Sequence, residues 1–234
     1  MGLARHWHLR KRGPKVVVAD VMVEAGKGTV QTIKKNGGEA IFVKTDVCRA
    51  NEVEAAVQKA VDEFGRLDCA FNNAGIDGEL GALQEQGEEN WDRVVNINLK
   101  GVWLCMKYEI RQMLKQGGGA IVNTSSIAGL TGLGTIPYVA SKHGVVGMTK
   151  VAALENAQTG IRLNAVCPAA VYTPMVEKLM SADPEMKEYI INMQPMGRVG
   201  QPEEISQAVV WLCSDAASFI TGHSLPIDGG LMAQ

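Results

Sequence analysis

Two patterns of hydrophobic and polar positions alternate along this chain. Short apolar runs recur, bounded by Gly, Asn, Asp or Ser: Val16-Val17-Val18-Ala19, 40–44, 67–71, Ala120-Ile121-Val122, 161–166 and 224–230. Such runs predict buried strands. Between them lie segments with helical spacing or helix end signals. Residues 24–35 are closed by Asn36-Gly37-Gly38, and 52–64 have Asn51 as the expected cap and Gly65 at the end. Residues 91–116 form a long helical region ended by Gly117-Gly118-Gly119, and a further helix begins at Tyr138. Residues 202–213 open with Pro202-Glu203-Glu204, in good N-terminal order. Alternation of strand and helix predicts an α/β fold: a doubly wound, mainly parallel sheet with helices on both faces. Nothing repeats internally, and residues 15–234 read as a single domain.

The stretch from Ala120 to Lys150 carries the chemistry. Its strand ends in Asn123-Thr124-Ser125-Ser126, and a Gly-rich loop and Pro137 follow. Tyr138 and Lys142 are four apart, so a helix puts both on one face. An ammonium beside a phenol favours phenolate, so the tyrosine pKa is expected below its reference of roughly 10. The Ser126 hydroxyl, carried in by the strand end, can bind the same substrate oxygen. That set is a general acid/base with a positioning partner.

Composition narrows the classes. The net charge of −2 over 234 residues argues against a nucleic-acid partner. No apolar run reaches membrane-spanning length, so no membrane partner is expected. Cys48, Cys69, Cys105, Cys167 and Cys213 are scattered, with no Cys-x-x-Cys pair. They read as buried thiols in a reducing, cytoplasmic compartment, and no metal site is expected.

Ser126 with Tyr138-Val139-Ala140-Ser141-Lys142 resembles the catalytic core of the short-chain dehydrogenase/reductase family. The Ser126–Tyr138 gap is one residue shorter than the family's usual spacing. Ser125 would restore it, but Ser126 fits the local Ser-Ser-Ile-Ala-Gly pattern better. Asn72-Asn73-Ala74-Gly75 is a family signature beside the cofactor. The resemblance runs from about Val16 to Gly230. It implies reversible hydride transfer between a secondary alcohol or ketone and a nicotinamide cofactor. Tyr138 would be the general acid/base, Lys142 would bind nicotinamide ribose, Ser126 would hold the substrate oxygen, and the Asn98 carbonyl would support a proton relay.

The same resemblance assigns cofactor contacts. Asp20 ends the first strand, where an acid accepts ribose hydrogen bonds and repels a 2′-phosphate, favouring NAD over NADP. Asp46 and Val47 would meet the adenine, and Asn73, Ala74 and Gly75 would line the cofactor. Pro168, Val171 and Thr173 would meet the nicotinamide end, with Ala169 where the family usually has Gly. Met175, Met180, Met186, Met193 and Met196 lie in a segment like the family's mobile substrate cover and could line an apolar pocket. The helices at 98–116 and 138–156 resemble the family's subunit contacts, implying a homotetramer or homodimer.

Residues 1–14 differ from the rest: basic, without acids, and without a Gly-rich phosphate loop. The first strand and helix of the fold are therefore expected to be missing. Back-translation in the frame starting at the third base of the Met1 codon permits Gly-Ile-Gly-Pro-Ala-Leu-Ala-Leu-Ala-Lys-Glu-Gly-Ala-Lys. This resembles the missing unit, and a frameshifted, late-started reading frame is the expectation. The chain alone is then expected to be unstable or inactive. A second reading is a non-catalytic relative acting through binding or oligomer contacts.

Overall fold

The computed structural model describes residues 15–182 and 184–234. The basic segment 1–14 and the frameshift expected there lie outside the described residues.

The first elements are β1 (Lys15–Asp20), α1 (Val23–Lys35), β2 (Glu39–Lys44) and α2 (Ala50–Phe64). The β-branched run Val16-Val17-Val18 suits a strand. β1 pairs with β2 in parallel, from Lys15 opposite Glu39 to Asp20 opposite Lys44. α2 ends at Gly65, whose φ of 85° is left-handed. Its start corrects the expectation: the helix begins at Ala50 behind Arg49, and Asn51 is inside it. The Glu52 carboxylate accepts from the Asp46 N–H at 2.8 Å. Arg49 lies 3.4 Å from Asp46 and 3.6 Å from Glu52. This charged cluster anchors the first turn, so no Asn cap is needed.

Next come β3 (Cys69–Asn72), α3 (Glu88–Val95), α4 (Gly101–Gln116), β4 (Gly119–Thr124) and α5 (Ile136–Glu155). β5 (Ile161–Pro168), α6 (Pro174–Ala182), α7 (Pro184–Asn192), α8 (Pro202–Cys213) and β6 (Ser224–Ile227) complete the order. The helical region expected at 91–116 begins at Glu88 and is interrupted, because Asn96–Lys100 is π-helical between α3 and α4. Strands β3, β4, β5 and β6 form one parallel sheet in that order. Strand alternation sends Ile121 and Leu163 to one face, against Val102 and Met113 of α4 and Val145 of α5. Val122 and Val166 face the other way, against Val209 and Leu212 of α8. Burying each such aliphatic side chain contributes roughly 1.5–3 kcal/mol.

Among the described residues β1-β2 and β3-β4-β5-β6 are separate sheets. The usual doubly wound order places one more strand between their counterparts. Val16, Val17 and Val18 are accordingly only half-buried, whereas Ile121 and Val122 in the second sheet are fully buried. Within each sheet the strands are parallel, so the strand ends at Asp20, Asn72, Thr124 and Pro168 lead into the loops that carry the candidate site.

Candidate active site

α5 places Tyr138 and Lys142 one turn apart, and Pro137 in its first turn fixes the helix start. β4 supplies the facing groups. The Lys142 ammonium donates to the Thr124 carbonyl at 2.9 Å, with Nζ 5.4 Å from the Tyr138 ring centroid. The adjacent serines point to different tasks. Ser125 is buried, and its hydroxyl donates to the Lys142 carbonyl at 2.9 Å. Ser126 lies close enough to the Tyr138 phenol to favour its ionised form. It also approaches the Pro168 carbonyl at 3.4 Å and accepts from the Ala128 N–H at 3.2 Å. Ser126, and not Ser125, faces the phenol.

Asn98 sits in the π-helical turn, fully buried. Its Oδ1 accepts from the Ile76 N–H at 2.9 Å, and its Nδ2 donates to the Ile76 carbonyl at 2.8 Å. Nδ2 also reaches Ser141 Oγ at 3.3 Å. The side chain thus ties the loop after β3 to α5. A π turn relieves the usual helical bonding, which explains an asparagine inside a long helical region.

The electrostatics correct one expectation. Burial pushes the Tyr138 phenol up to about 12, the neighbouring Ser126 hydroxyl pulls it down, and the charge of Asp77 pushes it further up. The expected lowering by Lys142 does not occur. Burial pushes the lysine itself down to about 8, against the opposing charges of Asp77 and Cys167. A desolvated ammonium engaged with Thr124 does not overcome the burial of its neighbour.

The expected cofactor contacts fall on loops and strand ends. Asp20 ends β1, and its Oδ1 accepts from the Met22 N–H at 2.8 Å, leaving Oδ2 without a hydrogen bond among the described residues. Asp46 spends its carboxylate locally: it accepts from the Cys48 N–H at 2.9 Å, which holds it below its ordinary value. Val47 packs against α4, where a Cβ at Gly101 would meet its Cγ2 at 2.7 Å. Asn73 Oδ1 accepts from Thr124 Oγ1 at 3.0 Å, and Ala74 and Gly75 are exposed beside it. A Cβ at Gly75 would lie 3.5 Å from Lys142 Nζ, so glycine leaves room beside that ammonium. Pro168 ends β5, Val171 bridges to Gly200, and Thr173 Oγ1 accepts from the Val176 N–H at 3.4 Å. Open acceptors at Asp20 and an unobstructed floor at Ala74 and Gly75 fit a dinucleotide.

Of the methionines expected to line a pocket, Met180 and Met193 are half-buried, and Met186 and Met196 are exposed. The Met175 side chain lies outside the described ones. The cysteine reading needs correction too: all five are free, but only Cys167 is buried and the rest are half-buried. No cluster of metal-ligating residues occurs among the described residues. No helix among them is long and apolar enough to cross a membrane. Sequence reasoning missed Asp77, whose charge acts on both Tyr138 and Lys142. Its only signal was its place two residues beyond Gly75. Glu109 was missed as well: wholly buried on α4, it accepts from Asn72 Nδ2 at 2.9 Å, and burial pushes it up to about 7.

The family model described as enoyl-(acyl carrier protein) reductase matches residues 1–232. The chain is 46% identical over 222 residues to cyclohexanol dehydrogenase of Acinetobacter sp. (strain SE19), covering 94% of this chain and 86% of that protein. Among solved structures, NAD+-bound xylitol dehydrogenase superposes with a TM-score of 0.88 at 33% identity, over 92% of this chain and 88% of that one. ElxO with NADP bound superposes at 0.87 and 35% identity, over 93% and 88%. With this match along nearly its whole length, and with Ser126, Tyr138 and Lys142 gathered at one strand end, the chain belongs to the short-chain dehydrogenase/reductase family and is an oxidoreductase.

Proposed function

We propose that this chain interconverts a secondary alcohol and its ketone, with NAD as the nicotinamide cofactor. The observation that carries the reading is the Lys142 ammonium held by the Thr124 carbonyl 5.4 Å from the Tyr138 ring, with Ser126 at the same strand end. A bound nicotinamide supplies the hydride acceptor in oxidation and the hydride donor in reduction. Tyr138 Oη takes the alcohol proton in oxidation and returns it in reduction. Ser126 Oγ donates to the substrate oxygen and keeps it beside the phenol. Lys142 binds the nicotinamide ribose, and the Asn98 carbonyl serves the relay behind it. Asp20 Oδ2 accepts from a ribose hydroxyl and its charge opposes a 2′-phosphate, which supports the choice of NAD. Asp46, Val47, Asn73, Ala74, Gly75, Pro168, Val171 and Thr173 form the remaining cofactor contacts.

The non-catalytic alternative is disfavoured, since every expected catalytic side chain is present. Trp103 and Leu114 on α4 and Val151 and Leu154 on α5 are exposed apolar groups, which supports a homotetramer or homodimer through these helices. Five unpaired cysteines fit a cytoplasmic location.

The test is Tyr138→Phe. Turnover of cyclohexanol with NAD should fall by about 1,000-fold or more, within the span of a lost general acid/base. NADH binding, read by fluorescence titration, should persist. Retained turnover would remove Tyr138 from its role.

A further inference from the structure

Asp77 lies on the loop after β3, between two residues with fixed positions. Both backbone groups of Ile76 are bound by the Asn98 amide, at 2.8 and 2.9 Å. Gly78 packs against the start of α5: a Cβ there would meet Thr135 Oγ1 at 2.6 Å and Pro137 Cγ at 3.0 Å. The loop is therefore pinned on both sides of Asp77, to the two segments that carry Asn98 and Tyr138.

The residue is exposed, yet enough of its carboxylate lies under the surrounding walls for burial to raise its pKa, against the pull of Lys142. Its charge reaches both Tyr138 and Lys142. Among the described residues it makes no hydrogen bond and no ion pair at contact distance. A partly desolvated carboxylate without a hydrogen-bond donor is unfavourable, and its lone pairs remain open acceptors. The anchors at Ile76 and Gly78 keep Asp77 within electrostatic reach of Tyr138 and Lys142, and no hydrogen bond among the described residues uses its carboxylate.

We propose that Asp77 is a specificity-determining residue: its carboxylate accepts a hydrogen bond from a second hydroxyl of an uncharged substrate, while Tyr138 and Ser126 hold the reacting oxygen. Its negative charge also turns away substrates that carry a carboxylate. The proposal rests on the hydride-transfer reading of the same site and adds the class of molecule it takes.

The experiment compares the full chain with Asp77→Ala and with the near-isosteric Asp77→Asn. Each is assayed with NAD and cyclohexanol, 1,2-cyclohexanediol or 3-hydroxycyclohexanecarboxylate. In Asp77→Ala the ratio of kcat/KM for the diol to that for cyclohexanol should fall about tenfold, mostly through KM, as expected for losing a hydrogen bond to a charged group. Asp77→Asn keeps a carbonyl acceptor and should lose less. Both variants should gain several-fold, roughly, on the hydroxy acid relative to cyclohexanol, because a like charge has gone. If Asp77→Ala folds poorly, the hydroxy-acid ratio of Asp77→Asn decides alone. Unchanged ratios would overturn the proposal and leave hydride transfer standing. No turnover of any alcohol by the unsubstituted chain, with NADH still bound, would overturn both.

Discussion

Glu109→Gln should stabilise the protein above neutral pH and do little below pH 5. Glu109 lies wholly buried on α4, and its bond from Asn72 is too little to offset desolvation, so its carboxyl is pushed from 4.5 up to about 7. An unfolded carboxyl titrates near its ordinary value. Between those two pH values the folded chain binds the extra proton, so folding stability falls as pH rises through the interval. At about 1.4 kcal/mol for each pH decade, the loss is ~3 kcal/mol, complete above pH 8. Glutamine is neutral at every pH and can still accept from Asn72 through its carbonyl. Urea unfolding at pH 5 and pH 8, at one protein concentration, reads the difference. The Gln variant minus the natural chain should rise by a few kcal/mol, roughly, between the two conditions. A difference independent of pH, or one that shrinks as pH rises, would refute the burial argument.

Two further outcomes follow from named contacts. Asp20→Ala removes an acceptor and a repulsive charge at the end of β1, so the NAD/NADP ratio of kcat/KM should fall by about ten- to a hundredfold, and an unchanged ratio would assign selectivity elsewhere. In Gly129→Ala the new Cβ would sit 2.3 Å from Ser125 Oγ and 2.7 Å from the Lys142 carbonyl oxygen, displacing α5 from β4. It should cost about 1–3 kcal/mol in urea unfolding and lower kcat more than it raises KM for NADH, and full kcat would show that α5 tolerates the shift.

The strands were legible because fully buried parallel strands read as uninterrupted apolar runs, as at Ala120-Ile121-Val122. Tyr138 and Lys142 were legible because a four-residue spacing survives in any helix. The π-helical turn at Asn96–Lys100 was not, since its side-chain spacing differs too little from that of an α-helix over so short a span. The start of α2 was missed because an asparagine two residues inside the helix imitates a cap, while the actual anchor is the Arg49, Asp46 and Glu52 cluster. The direction of the Tyr138 pKa was missed for a different reason. Sequence shows which charge lies one turn away, but the result turns on how deeply both groups are buried. Asp77 has no pattern around it, so only the loop's path reveals it.

The geometry of the proposed proton transfer is set by the end of β4 more than by α5 itself. Lys142 is tied there at both ends: its ammonium to the Thr124 carbonyl and its own carbonyl to Ser125 Oγ. Beyond the last residue of β4, Ser125 fastens the helix through the Lys142 carbonyl while Ser126 faces the phenol. A second chain of bonds reaches Tyr138 from the other side. Ile76 holds Asn98, Asn98 reaches Ser141, and Ser141 Oγ donates to the Tyr138 carbonyl at 2.7 Å. Both paths end on the turn of α5 that carries the proposed acid/base pair. That pair therefore needs little reorganisation once a substrate oxygen arrives beside Ser126. Ser125 then reads as a positioning residue whose hydroxyl matters through Lys142.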